Sequence, residues 1–65
     1  MKHPFKVGDL VRSNMAPGDL AFVAETRIEG GRQKQMWVDV IWNSCGLRTD
    51  YLPVKRFILI SRAEQ

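Results

Sequence analysis

The sequence predicts an all-β domain in which five short antiparallel strands close into a small barrel. Apolar and polar residues alternate in several short runs, most regularly over residues 36–42. Turn-forming residues separate these runs at 17–18, 30–31 and 43–46. The chain has no long helical pattern. Short alternating strands between repeated turn signals are typical of a small all-β barrel.

The predicted strands and their core face follow from the same alternation. In the third strand, Val38 and Val40 share one face and are assigned to the core, whereas Trp37 and Ile41 share the other. Pro53 cannot continue a central strand, so a single 3₁₀ turn is expected before the last strand. The strands are expected at about residues 6–13, 20–28, 36–42, 47–52 and 57–61. The expected core comprises Val7, Val11, Leu20, Phe22, Val38, Val40, Leu47, Tyr51, Leu52, Ile58 and Ile60.

The register between the third and fourth strands is open between two arrangements. In the first, Trp42 pairs with Leu47. Asp39 then lies opposite Asp50, and two like charges directly across a sheet are unfavourable. In the second, a two-residue turn after Trp42 shifts the fourth strand so that Arg48 faces Asp39. We favour the second arrangement, although a bulge in the turn would change the alternation again.

Length and composition indicate one domain over residues 1–65, with its ordered core at about 5–61. The chain is 45% apolar and 26% charged, which is typical of a folded soluble domain. Cys45 is the only cysteine, so no internal disulfide forms, and only His3 could join it as a metal ligand. We therefore expect no metal and no cofactor. Because no leader and no apolar stretch near ~20 residues is present, we expect a cytoplasmic protein without a membrane span.

Several segments resemble those of SH3-like barrels, including KOW and Tudor-type modules. Residues 5–12 resemble the opening strand, and a glycine turn, a Val-x-Val-x-Trp strand, Tyr51, a proline-containing 3₁₀ turn and a closing strand follow in the same order. The chain is also similar in length and order to stand-alone barrel proteins that tailed bacteriophages encode. The resemblance implies a phage-encoded binding module in the host cytoplasm or in the virion. Its first loop, residues 13–19, has one acid and no aromatic residue, which argues against binding of proline-rich ligands.

Catalysis is the least favoured class of function. Candidate acids and bases exist, but we expect the carboxylates to lie on strand faces and pair with Arg27 or Arg48. His3 lies near the start of the chain, and no third residue is evident that would orient it beside a nucleophile. The candidates considered are Glu25, Asp39, Asp50, Ser44, Cys45 and His3. We therefore expect a protein that is not an enzyme.

Contact with another protein is the favoured function. Trp37 and Ile41 lie on the face opposite the valines, and Arg48 is expected nearby. Tryptophan and arginine beside aliphatic residues are typical of interface hot spots. The open question is whether Trp37 is exposed or belongs to the core. We predict a protein-binding face formed by Trp37, Ile41 and Arg48, and self-association is a further option.

Nucleic-acid binding is the alternative function. The net charge is +3, which permits contact with phosphates without requiring it. Arg32 and Lys34 lie in the glycine-rich turn, and Lys55 and Arg56 lie in the 3₁₀ turn. If these side chains converge around Trp37, phosphate contacts and base stacking become available together.

Overall fold

The chain forms one five-stranded antiparallel sheet with the strand order β4-β3-β2-β1-β5. The structure is a computed structural model that describes residues 2–16 and 18–63. Pro17 of the predicted glycine turn therefore lies outside the described residues. The predicted all-β class, the five strands and the 3₁₀ turn are confirmed. The strands are β1 Leu10–Ser13, β2 Leu20–Glu29, β3 Gln35–Trp42, β4 Arg48–Pro53 and β5 Phe57–Ser61, and the 3₁₀ turn is Val54–Arg56.

The two edges of the sheet are β4 and β5, which do not pair with each other in the described part of the chain. The sheet is therefore not closed, and closure into a barrel stays a prediction. No helix among the described residues has the length and apolar character needed to cross a membrane.

The core lies on one face of the sheet and consists mainly of small β-branched and aromatic side chains. Its buried members are Phe5, Val11, Ala21, Val23, Val38, Val40 and Phe57. Trp42, Leu52, Val54 and Leu59 are partly buried and pack against them. Val11, Val38 and Val40 were predicted correctly, because strict alternation in β1 and β3 identifies the inward face.

The predicted inward face of β2 and β5 is wrong. Ala21 and Val23 point into the core from β2, whereas Phe22 remains 44% exposed. In β5, Phe57 is buried, and Ile58 and Ile60 are 41% and 50% exposed. Both strands carry apolar residues on both faces, so alternation alone does not select one. Pairing with β1 does, because Val11 lies opposite Ala21 and Leu59.

Three other residues expected in the core are exposed. Val7 and Leu47 lie outside regular strands and are 59% and 67% exposed, and Tyr51 is half-exposed in β4. The strand that was predicted to begin at residue 6 begins instead at Leu10. A turn precedes it, because the Asp9 amide donates to the Lys6 carbonyl at 3.0 Å and the Lys6 amide donates to Asp9 Oδ2 at 2.8 Å.

The register between β3 and β4 differs from the favoured arrangement. The amide of Trp42 donates to the carbonyl of Leu47 at 2.9 Å, so the first arrangement is present and the two-residue turn is wrong. An extra residue in β4 produces a bulge opposite Asp39, where Tyr51 adopts a φ of 57°. This bulge prevents Asp39 and Asp50 from facing each other as a direct pair, and it removes the reason for disfavouring this register.

Candidate binding surface on the outer face of β3

The face of β3 that lies away from the valine core carries Trp37, Asp39 and Ile41. We call it the outer face of β3. Successive side chains of a strand point to opposite sides, so these three residues share one side while Val38 and Val40 share the other. Asp39 is nevertheless fully buried. A carboxylate without water must be hydrogen-bonded and paired, so its partners determine the local structure.

Two arginines and one backbone amide satisfy the Asp39 carboxylate. Arg27 Nε donates to Oδ1 at 3.1 Å and to Oδ2 at 3.0 Å, and its Nη2 donates to Oδ2 at 2.6 Å. Arg48 Nη2 donates to Oδ2 at 3.1 Å. The Tyr51 amide donates to Oδ1 at 2.9 Å, and the bulge in β4 directs it there. The predicted contact of Asp39 with Arg27 or Arg48 is therefore confirmed, but the carboxylate is buried rather than solvated.

Exposed groups extend this arrangement into a network across β2, β3 and β4. Glu25 Oε2 accepts from Arg27 at 3.1 Å and from Arg48 at 3.4 Å. The guanidinium carbon of Arg27 lies 4.3 Å from the centre of the Tyr51 ring, a cation–π distance. Arg48 Nε also donates to Asp50 at 2.7 Å. We call these residues the Asp39 cluster: Glu25, Arg27, Asp39, Arg48, Asp50 and Tyr51.

The hydrogen bonds of the Asp39 cluster favour the ionised forms of Asp39, Arg27 and Arg48. Those from Arg27, helped by the Tyr51 amide, lower the pKa of Asp39 to about 2 although burial opposes this shift. The bond to Asp39 raises the pKa of Arg27 further above its ordinary value, and the bond to Asp50 does the same for the pKa of Arg48. These three groups therefore stay ionised near neutral pH, where a general acid or base would need to exchange a proton.

A pocket of about 410 Å³ opens beside Trp37 at the start of β3. Gln35, Met36, Trp37, Pro53, Val54 and Lys55 line it, so the start of β3 and the segment that enters the 3₁₀ turn form its walls. The Trp37 ring is half-buried and makes an edge contact with Tyr51, with 6.4 Å between ring centres. Trp37 thus belongs neither wholly to the core nor wholly to the surface.

The N-terminal segment is attached to the backbone of the same strand. His3 Nε2 lies 2.8 Å from the carbonyl oxygen of Trp37, and His3 Nδ1 accepts from the Phe5 amide at 3.1 Å. Because Nδ1 accepts, Nε2 carries the proton and donates to Trp37. His3 therefore helps to position the backbone of Trp37.

Cys45, the other residue considered as a metal ligand or nucleophile, is exposed in the turn after β3.

The three predicted protein-binding residues lie on or beside one face. Ile41 is directly opposite Arg48 in the register, and both are exposed. Trp37 lies about 13 Å from Ile41 along the strand, at ~3.3 Å per residue. Asp39 lies between them. Arg48 pairs with Asp39, Asp50 and Glu25, so its guanidinium group is engaged by carboxylates of this protein itself.

The four predicted nucleic-acid-binding residues are all exposed, but their surroundings differ. Arg32 and Lys34 lie in the connection from β2 to β3, whereas Lys55 and Arg56 lie in the 3₁₀ turn. Of the four, Lys55 lines the pocket beside Trp37. The 3₁₀ turn is held in place because Asn14 donates to the carbonyls of Lys55 and Arg56, at 2.9 and 2.7 Å.

Sequence reasoning missed the pocket and the burial of Asp39. An acid between two core valines was a signal that a basic residue on a neighbouring strand must reach it. The pocket left no local signal, because its walls come from segments far apart in the chain. No group of three or more potential metal ligands occurs among residues 2–16 and 18–63.

The comparisons with known proteins found no match to this chain. No family model matches the chain, and neither a curated protein nor a solved structure matches it.

Proposed function

We propose that this chain is a small protein-binding module without enzymatic activity, and that its partner docks in the Trp37 pocket and along the outer face of β3. The observation that carries the proposal is the pocket itself. Its volume of about 410 Å³ lies within the ~300–1,000 Å³ of typical small-molecule sites, which is room enough for an anchoring side chain of a partner. An aromatic wall in a half-open pocket is the usual place for an anchoring side chain of a partner.

The chemistry of the walls supports an apolar anchor with a polar attachment. Trp37, Met36, Pro53 and Val54 supply apolar surface, and Lys55 supplies one cation. A partner segment that inserts an apolar side chain and places an acidic or carbonyl group near Lys55 would satisfy both. Charged groups at the margin mainly orient a partner, whereas apolar contacts in the pocket supply most of the affinity.

The Asp39 cluster supports the proposal by keeping the site rigid. It joins β2, β3 and β4 through hydrogen bonds to one carboxylate, and Tyr51 of the cluster contacts the Trp37 ring. A preorganised site loses less conformational entropy when a partner binds. We therefore assign the cluster a positioning role and the pocket the binding role.

For the complete fold we propose an SH3-like small barrel. The support is the order of β1 between β2 and β5, together with a 3₁₀ turn directly before the last strand. We further propose the setting that this resemblance implies, a phage-encoded protein that acts on a host protein or within a particle, in the host cytoplasm.

The experiment that tests protein binding is affinity capture from a nuclease-treated bacterial lysate with quantitative mass spectrometry. The variants are Trp37→Ala and Lys55→Glu, and the matched control is Leu47→Ala, an exposed apolar residue outside the pocket. We expect wild type and Leu47→Ala to retain the same protein, and both pocket variants to lose it. Retention by the folded Lys55→Glu and Trp37→Ala variants would contradict the proposal. If Trp37→Ala unfolds, Lys55→Glu alone decides, because Lys55 is exposed.

Binding of single-stranded nucleic acid is the second candidate, because Lys55 and Trp37 line the same pocket. A base could stack on the indole ring while a phosphate meets the ammonium group. The test is fluorescence anisotropy with labelled single-stranded DNA and RNA oligonucleotides at increasing salt. This function predicts a steep loss of affinity with salt and a weaker Lys55→Glu variant. Absence of binding at any salt concentration would exclude it.

A further inference from the structure

A second unusual surface lies where β1 runs between β2 and β5, and it adjoins the outer face of β3 because Phe22 of β2 is directly opposite Ile41. Val11 points from β1 into the core and is fully buried. Its neighbours Leu10 and Arg12 therefore point to the other side. Arg12 lies opposite Leu20 of β2 and Ile58 of β5.

The surroundings of Arg12 on this side are apolar. Phe22, Ile58 and Ile60 remain 44%, 41% and 50% exposed, although the core on the other face is already filled by other residues. Leu10 and Leu20 are partly exposed. We call this surface the Arg12 patch: Leu10, Arg12, Leu20, Phe22, Ile58 and Ile60. A contiguous apolar patch on a small protein commonly marks an interaction site.

Arg12 is the cation of this patch, and its charge is not matched within the described part of the chain. Every ion pair there is made by Arg27 or Arg48. The Nε atom of Arg12 is buried, and no residue among 2–16 and 18–63 supplies it with a hydrogen-bond partner. A partner cannot reach this buried atom directly, so an incoming carboxylate would pair with the terminal nitrogens of the guanidinium. The arginine fork matches the two oxygens of a carboxylate.

We propose that the Arg12 patch docks a partner-protein segment that presents one carboxylate among aliphatic side chains. The carboxylate pairs with the guanidinium of Arg12, and the aliphatic groups cover Phe22, Ile58 and Ile60. This surface adjoins the outer face of β3 at Ile41 but shares no residue with the Trp37 pocket, so the inference goes beyond the proposed function and does not depend on it.

The charge and the apolar ring disfavour the other occupants. A second copy that docked about a two-fold axis centred on the patch would bring two Arg12 guanidinium groups together, and like charges at an interface are unfavourable. An anionic membrane surface is normally held by a cluster of cations, whereas the patch contains one. A nucleic-acid backbone likewise requires several phosphate contacts, and it leaves the aliphatic side chains uncovered.

The test is a charge-swap selection with a random peptide library displayed on phage, using the full chain as bait. Wild type should enrich peptides with Asp or Glu flanked by Leu, Ile or Val, and Arg12→Glu should enrich Lys or Arg at that position. For a synthetic peptide from the wild-type selection, Arg12→Gln should weaken binding about tenfold or more, equivalent to ~1.4 kcal/mol. Leu47→Ala, at an exposed residue outside the patch, should leave its affinity within about twofold.

The site is then located by nuclear magnetic resonance titration of the same peptide. Amide shifts should concentrate in β1, β5 and the start of β2, and Ile58→Ser should weaken binding while the matched control Leu47→Ala does not. If Arg12→Glu fails to fold by circular dichroism, Arg12→Gln supplies the bait for the comparison. Any of four results would overturn the inference: no enriched peptide, selected peptides without an acid, shifts confined to the Trp37 pocket, or occupation of the patch by a second copy or by phosphatidylglycerol vesicles.

Discussion

The variant Asp39→Asn should destabilise the protein strongly while changing few atoms. The asparagine oxygen can still accept from the Tyr51 amide, which lies 2.9 Å from Asp39 Oδ1. The charge that Arg27 and Arg48 share is removed, and the new amide group directs its own donors at the arginine donors. Two guanidinium groups are then left beside each other without their common anion.

The size of this effect follows from burial and from the stability of a small domain. Breaking a buried ion pair by removing one partner costs ~3–5 kcal/mol. We expect a loss near the lower limit, about 3 kcal/mol, because the Arg48 side chain is 46% exposed and water screens its charge. A 65-residue domain has a free energy of unfolding of about 3–10 kcal/mol, at ~0.05–0.15 kcal/mol per residue. The variant should therefore lose between about a third and all of the free energy of unfolding.

The assay is urea unfolding at pH 7 followed by tryptophan fluorescence, and the matched control is Asp50→Asn. Asp50 also pairs with Arg48, but its side chain is 50% exposed, so its loss should cost at most about 1 kcal/mol. A loss below about 1 kcal/mol for Asp39→Asn, or equal losses for both variants, would refute the assigned role of the buried carboxylate.

The same carboxylate predicts an acid dependence of stability. The folded protein lowers the pKa of Asp39 from 3.8 to about 2. The stabilisation from this shift is present above pH ~4 and is lost as the pH falls towards 2, because the unfolded chain takes up the proton first. It amounts to at most about 2 kcal/mol. The difference in unfolding free energy between wild type and Asp39→Asn should shrink over this range, and a constant difference would contradict the assignment.

Two further predictions concern the turns and the core, both measured by urea unfolding. Gly30→Ala should destabilise by about 1–3 kcal/mol, since Gly30 has a φ of 115° and an added Cβ would lie 2.5 Å from the Gln33 carbonyl oxygen. The control Gly31→Ala meets open space and should change stability little, and equal effects would refute the role of the turn geometry. Val40→Ala should cost about 2–3 kcal/mol because Val40 is fully buried, whereas exposed Val7→Ala should cost under ~0.5 kcal/mol. A similar cost for both would contradict the observed core.

In the Asp39 cluster, the ion pairing was predictable from the sequence, but the burial of the carboxylate was not. A pairing of Asp39 with Arg27 or Arg48 was predictable, because an acid on a strand face needs a nearby cation. Its burial was not, since it depends on the bulge that brings the Tyr51 amide to the carboxylate. The favoured register failed for the same reason, because it assumed direct pairing across regular strands and Tyr51 interrupts that pairing.

The sequence predicted the position of Trp37 but not the pocket beside it. Trp37 was singled out because it lies opposite Val38 on β3, and this placement is correct. The other wall comes from Pro53 and Val54, which reach Trp37 through the pairing of β4 with β3 and the turn that follows. The distance along the chain between these segments hid the pocket from any local pattern.

The sequence by itself determined the all-β class, the succession of five strands along the chain and the 3₁₀ turn, because alternation and turn chemistry act over a few neighbouring residues. Only the tertiary structure decided which faces of β2 and β5 are buried. Both faces of those strands are apolar, so pairing of Val11 with Ala21 and Leu59 selects the inward side. The same non-local pairing leaves Phe22 and Ile58 exposed around Arg12. The Arg12 patch therefore could not be predicted from any local sequence pattern.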